Sequence, residues 1–265
     1  MSINGQLTRF SREELVLGRK ARERNDINRS LDHLEKILKD QLRDEVQSFL
    51  RFGSYTRNTI LPRQYDPGSD IDLMVVMNTK DRELQPGTYR KKLLDVISQA
   101  YPNSLSQKDF PAVKLELKSI KFDLVPAVCE TSWWGSKTYY IPDARDTWQE
   151  TVPNDINEKL GQVNEAIGGN IFRNVIRLCK HWNSTRSRPK LPSYLMEKKI
   201  LNLSAWFYWK NTYEGFMDSL DLVAGDQAGV RDAMRWIREY EGNGWREPNE
   251  AKQLQWLRKL LPKLG

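Results

Sequence analysis

The sequence predicts an α+β protein, a strand-bearing first part with flanking helices followed by a helical lobe. Three observations carry that expectation. Residues 71–77, Ile-Asp-Leu-Met-Val-Val-Met, form an apolar run of strand length opened by Asp70-Ile71-Asp72. Residues 119–128 form a second strand-like run with one acid, Asp123, among apolar neighbours. From about Asn154 the apolar spacing turns helical and stays so. The division expected is a catalytic lobe over 1–153 and a helical lobe over 154–265.

Taken in order, residues 1–25 read as an arm or first helix, with a helix start at Ser11-Arg-Glu-Glu. Ile27, Leu31, Leu34, Ile37, Leu38, Leu42, Val46, Phe49 and Leu50 recur at helical spacing, which predicts an amphipathic helix over 27–50 with Asp26 as its N-cap. It runs directly into Phe52-Gly53-Ser54. Thr56–Ser69 reads as a polar connection whose Arg57 and Arg63 either reach phosphate or are solvated. A helix is expected over Lys91–Tyr101. A half-exposed strand over 113–118 should pair with the Asp123 strand through a turn near Lys118-Ser119. Tyr139–Pro153, with its aromatics and two prolines, reads as a loop. Beyond it Val163, Ile167, Ile171, Val175, Leu178, Cys179 and Trp182 line one helical face across Gly168-Gly169. Further helices are expected over Ser193–Lys210, parts of Asp218–Tyr240, and Asn249–Leu264.

The chemistry is concentrated in residues 52–77. Side chains alternate along a strand, so Asp70 and Asp72 point the same way. Two adjacent carboxylates repel unless a cation lies between them, and oxygen-only ligands favour Mg²⁺ or Mn²⁺. Gly53 lets backbone approach a ligand closely, and Ser54 adds a hydroxyl and an N–H, together a small anion cradle. Asp123 is the natural third carboxylate. Such a set suits phosphoryl transfer in which two metal ions clamp the attacking and leaving oxygens. A lone Asp-x-Asp is more often a turn. One that opens a buried strand sixteen residues after Gly-Ser is far more specific.

Composition narrows the setting. With 39% hydrophobic residues and 9 Trp the chain can build a core. Two cysteines, Cys129 and Cys179, and two histidines make a structural zinc site improbable and imply reduced thiols. No run of eighteen apolar residues and no signal-peptide core occur, so a soluble cytoplasmic protein without a membrane partner is expected. Residues 171–199 hold eight cations (Arg173, Arg177, Lys180, Arg186, Arg188, Lys190, Lys198 and Lys199) against Glu197, which equals the whole chain's net +7. Such a block serves triphosphates or a nucleic-acid backbone, or is a solvated surface. Within it, Ser193 at a helix start and the nearby Lys180 suit a β/γ-phosphate, against the plainer readings of a helix cap and a surface charge. His181 and Trp182 read as packing.

Gly53-Ser54 … Asp70-Ile-Asp72 … Asp123 resembles the nucleotidyltransferases that include DNA polymerase β and the poly(A) polymerases. Ile141-Pro-Asp … Trp148 … Thr151-Val-Pro153, Arg177-Leu-Cys-Lys180-His-Trp-Asn183 and Leu191-Pro-Ser193-Tyr194-Leu195 narrow the likeness. Over about residues 27–215 the chain resembles the bacterial cGAS/DncV-like nucleotidyltransferases (CD-NTases), kin of cyclic GMP–AMP synthase and 2′–5′ oligoadenylate synthase. The resemblance implies a polymerase β-like mixed sheet with flanking helices, a helical C-terminal lobe, and an active site in the cleft between them. It implies condensation of ATP, GTP, UTP or CTP into a cyclic di- or trinucleotide with two Mg²⁺ (or Mn²⁺) ions. The product would be read by a downstream effector in anti-phage (CBASS) signalling. By position, Asp70, Asp72 and Asp123 hold the metals, Asp123 helps activate the attacking hydroxyl, and Gly53, Ser54, Lys180 and Ser193 hold the triphosphate. Tyr139 or Tyr140 could stack a base and Asn164 or Asn170 read its edge. A monomer is expected, with nucleic acid permitted but not required. The competing readings are a template-independent RNA-tailing enzyme and an enzyme placing AMP on a protein or small molecule.

Overall fold

The computed structural model describes residues 2–17, 21–78, 84–118, 120–186, 190–204, 208–242 and 245–265. The chain opens with α1 (Ile3–Glu13), capped by Ser2, whose side chain accepts from the Gly5 N–H at 3.2 Å. Ile3, Leu7 and Phe10 make its buried stripe, so Ser11 lies near the end of a helix and does not start one. In α2 (Ala21–Leu42) Ile27, Leu31, Leu34 and Leu38 are buried at steps of three and four, and Asp26 lies inside the helix.

The helix expected over 27–50 stops at Leu42. Arg43 adopts a left-handed φ of 47°, residues 43–45 make a short 3-10 turn, and β1 (Val46–Phe52) follows. Val46, Phe49 and Leu50 continue the helical period, but pairing with the next strand satisfies their backbone, and that tertiary pairing wins.

After α3 (Gly53–Thr56) come β2 (Ile71–Met77), α4 (Pro86–Ala100), β3 (Leu105–Asp109), β4 (Ala112–Glu116) and β5 (Lys121–Thr131). The strand order is β1-β2-β5-β4-β3, with β2 and β5 parallel and the other neighbours antiparallel, a mixed sheet. Ser119, in the expected turn before β5, lies outside the described residues.

Tyr139–Pro153 is not a loop. It forms β6 (Lys137–Pro142), antiparallel to the end of β5, and β7 (Trp148–Thr151), antiparallel to β6. Asp143 builds the turn between them, its Oδ1 accepting from the N–H of Arg145 at 2.9 Å and of Thr147 at 2.8 Å. One face of the sheet buries Met74, Val76 and Ala127 with Phe52, Tyr139 and Ile141 against them.

The helical part comprises α5 (Asn157–Ile167), α6 (Ile171–Ser184), α7 (Ser193–Ser204), α8 (Thr212–Ala224), α9 (Ala228–Glu239) and α10 (Glu250–Leu260). The single helical face expected across Gly168-Gly169 is broken there. Gly168, Gly169 and Asn170 have φ of 79°, 57° and 57°, which no continuous helix allows. The helix expected to reach Lys210 ends at Ser204; residues 205–207 lie outside the described residues. No helix among the described residues is long and apolar enough to cross a membrane.

The chain divides into two compact units, one of Met1–Leu17, Arg57–Ser69 and Ile156–Gly265, the other of Gly18–Thr56 and Asp70–Asp155. This departs from a single cut at 153/154 in two segments. Leu7 and Phe10 of α1 and Leu61 of the 57–69 segment belong to the same buried core as Phe172, Val175 and Trp182, which assigns both segments to the helical unit.

Candidate metal and nucleotide site

The sheet brings the predicted acids together. Asp72 of β2 lies directly opposite Asp123 of β5, and Asp70, two residues before Asp72, shares its side of the strand. The three are half-buried, and each offers a carboxylate oxygen within 4.8 Å of the others. Asp123 Oδ1 is buried and has no hydrogen-bond partner among the described residues. Burial first, then the charge of Asp70, push the Asp123 carboxyl up to about 7, while Lys114, its cross-strand neighbour on β4, pulls it down. Lys114 is itself held above the usual lysine range by its bond to Asp109 first, then by Asp123, against the effect of burial. An orphaned carboxylate oxygen in a cluster of three acids fits a hard divalent cation, which would occupy the orphan and offset the repulsion.

Gly53, the first residue of α3, follows β1 directly and stands against this cluster. Its φ is +75°, and a Cβ there would stand 1.8 Å from Asp72 Oδ2. Only glycine lets the chain turn at this distance from the carboxylate. The Thr56 hydroxyl donates to the Gly53 carbonyl at 2.9 Å, closing the turn that carries the half-buried Ser54. Gly53, Ser54, Asp70, Asp72 and Asp123 therefore lie in one compact unit, with Gly53 packed on Asp72.

Lys180 and Ser193 lie in the helical unit. Lys180 is no surface charge. Its side chain is 4% exposed, its Nζ is 2.6 Å from Glu197 Oε1, and it donates to the Thr59 carbonyl at 3.3 Å. Glu197 is wholly buried and also accepts from Arg57 Nε at 2.6 Å and the Thr59 hydroxyl at 2.8 Å. Burial opposes its ionisation, but Lys180 and Arg57 outweigh it and hold Glu197 below the usual glutamate range. Two cations against one carboxylate leave the cluster one positive charge in excess. Ser193 is the exposed first residue of α7, and the Met196 N–H bonds to the Pro192 carbonyl at 3.0 Å.

The basic block is split: Arg177 and Lys180 are buried, Arg173 and Arg186 half-buried, and Lys190, Lys198 and Lys199 exposed. Arg173 donates to the Arg57 carbonyl at 3.1 Å. Arg177 is buried, donates to the Asn58 carbonyl at 2.7 Å, and is lowered to about 10 by burial and then by Arg173. Arg186 lies over the Trp182 ring; Arg188 lies outside the described residues. Arg57 is thus neither solvated nor exposed, and its role and that of Glu197 were missed because the partners stand 140 residues apart. Asn164 is buried and bonded to Asn170 Oδ1 at 3.1 Å, and Tyr139 and Tyr140 lie half-buried on β6. His181 and Trp182 are packed in the core.

Comparison with known proteins matches residues 1–164 to the profile of the Second Messenger Oligonucleotide or Dinucleotide Synthetase domain. The CBASS oligonucleotide cyclase CdnC of Escherichia coli (strain KTE188) is 24% identical over 212 residues, covering 73% of this chain and 63% of that protein. The chain thus spans just under two thirds of the length of the curated relatives it matches. Three solved structures show the fold. E. coli MS115-1 CdnC with ATP has a TM-score of 0.71 at 15% identity, covering 100% of this chain and 98% of that chain. The Bradyrhizobium diazoefficiens CD-NTase CdnG in complex with GTP has 0.64 at 13%, covering 98% and 90%. The Vibrio cholerae cyclic AMP–GMP synthase DncV, with a linear intermediate, has 0.63 at 11%, covering 82% and 68%.

Proposed function

We propose that this chain, which belongs to the second messenger oligonucleotide or dinucleotide synthetase family, condenses nucleoside triphosphates into a cyclic di- or trinucleotide with release of pyrophosphate. The observation that carries the reading is the convergence of Asp70, Asp72 and Asp123 around an unbonded, buried Asp123 Oδ1, with Gly53 against Asp72. The three carboxylates would hold two divalent ions, Mg²⁺ or Mn²⁺, which when bound supply positive charge to the attacking and leaving oxygens. Asp123 accepts the proton of a ribose hydroxyl as its oxygen bonds to the α-phosphorus of a second nucleotide. The bond to the β-phosphate breaks, pyrophosphate leaves, and Asp123 returns its proton to solvent. A second attack of the same kind closes the ring. Gly53 and Ser54 cradle the triphosphate and Ser193 contacts its terminal phosphates, while the buried Lys180, with Arg57, supplies the excess positive charge beside Glu197 that favours that tail.

The substrates are drawn from ATP, GTP, CTP and UTP. The protein acts as a cytoplasmic monomer whose product reaches a downstream effector in CBASS anti-phage signalling, with no required nucleic acid. The relative, a CBASS oligonucleotide cyclase, supports the place of the product in CBASS signalling. The test is to incubate purified protein with the four triphosphates and Mg²⁺ or Mn²⁺, treat with phosphatase, and identify products by mass spectrometry. A phosphatase-resistant product that falls about 10³-fold or more with Asp72→Ala is expected. Linear, phosphatase-sensitive chains or an AMP-labelled protein would contradict the cyclic product.

A further inference from the structure

Two side chains on one face of α6 hold the start of α7 from both sides. Asn183 follows Lys180 by three residues, so the two stand one above the other on the helix. The Asn183 amide, in a residue 6% exposed, makes two bonds to Leu191. Its Nδ2 donates to the Leu191 carbonyl at 2.8 Å, and its Oδ1 accepts the Leu191 N–H at 3.0 Å. Lys180 meets Glu197 on α7, four residues after Ser193. One contact therefore fixes the chain two residues before Ser193, and the other fixes it one turn after. An asparagine can satisfy one backbone N–H and one C=O at once; a side chain lacking that amide would leave both Leu191 groups unbonded.

We propose that Asn183 is a positioning residue for the triphosphate tail, acting through Ser193 and the first turn of α7. The inference rests on the assignment of Lys180 and Ser193 to that tail. Asn183 itself touches no phosphate. It places the Ser193 hydroxyl relative to Lys180, and ligand contacts of this kind are lost with displacements of about 1 Å.

The test is equilibrium binding of ATP and of AMP to the full chain in Mg²⁺, for the natural protein and for Asn183→Ala. Asn183→Ala is expected to weaken ATP about tenfold, the loss of one charge-assisted hydrogen bond, and to leave AMP within about twofold. Retained AMP binding also reports that the variant is folded. If the natural protein binds ATP no better than AMP, the assignment of Lys180 and Ser193 is wrong. A natural protein that prefers ATP, with a variant that keeps the same preference or loses both ligands equally, would overturn the role of Asn183. Should the alanine variant not fold, Asn183→Ser retains a hydroxyl that can bond one Leu191 group. It should show a smaller loss confined to ATP, and an equal loss of ATP and AMP would again overturn the proposal.

Discussion

At Gly53 the backbone turns with a φ of +75° and leaves no space for a methyl group beside Asp72 Oδ2. Gly53→Ala therefore carries the left-handed penalty of about 1–2 kcal/mol and also displaces the Asp72 carboxylate, which is proposed to hold metal. Turnover should fall at least about 100-fold while the protein stays folded, read by product formation beside a thermal melt. His181 gives a different residue-scale prediction. It is buried against Phe10 and Tyr65, and burial depresses its pKa, opposed by its bond to the Tyr65 carbonyl. The unfolded chain takes up this proton near pH 6.5 and the folded protein resists it, so the contribution is present above about pH 6.5 and lost as pH falls. Asp123, pushed up to about 7, gains a proton in the folded protein over the same range and opposes this loss. The His181 contribution is therefore read as the difference between the natural protein and His181→Gln in denaturant unfolding at pH 7.5, 6.5 and 5.5, which should shift against the natural protein by up to about 1.4 kcal/mol per pH unit at the acid end.

At the scale of elements, α6, α7 and the 57–69 segment are joined through Glu197. Removing its carboxylate leaves Arg57 and Lys180 buried without their counter-charge. Glu197→Ala should cost about 3–5 kcal/mol of unfolding free energy, measured in urea, whereas Lys198→Ala, at the neighbouring exposed position, should change it by less than about 0.5. The Arg57 and Thr59 contacts to Glu197 were not legible in the sequence, because they join residues 140 and 138 positions apart. β2, by contrast, was legible to the residue: its apolar run is continuous because the strand is buried almost throughout. β1 was misread because Val46, Phe49 and Leu50 prolong the period of α2. β6 and β7 were hidden because short, half-exposed strands around Pro142 lack a clean alternation.

At the scale of the whole molecule, the chain passes out of the sheet-bearing unit after Thr56 and returns at Asp70, between the two halves of the acidic signature. A reading by composition places one boundary near residue 153. It has no means of seeing that Leu61 and the Leu7–Phe10 stripe join the helical core, since that is decided by packing. The acidic site was nonetheless readable, because Gly53, Asp70 and Asp72 lie close in sequence and β2–β5 pairing supplies Asp123 opposite Asp72. Ring closure at these carboxylates is tested by supplying γ-³²P-labelled nucleoside triphosphates with Mg²⁺ and measuring whether label remains on the oligonucleotide product. Ring closure expels every γ-phosphate as pyrophosphate, so an unlabelled product is expected, absent with Asp123→Asn. A product that keeps one γ-label per molecule is linear, and would rule ring closure out.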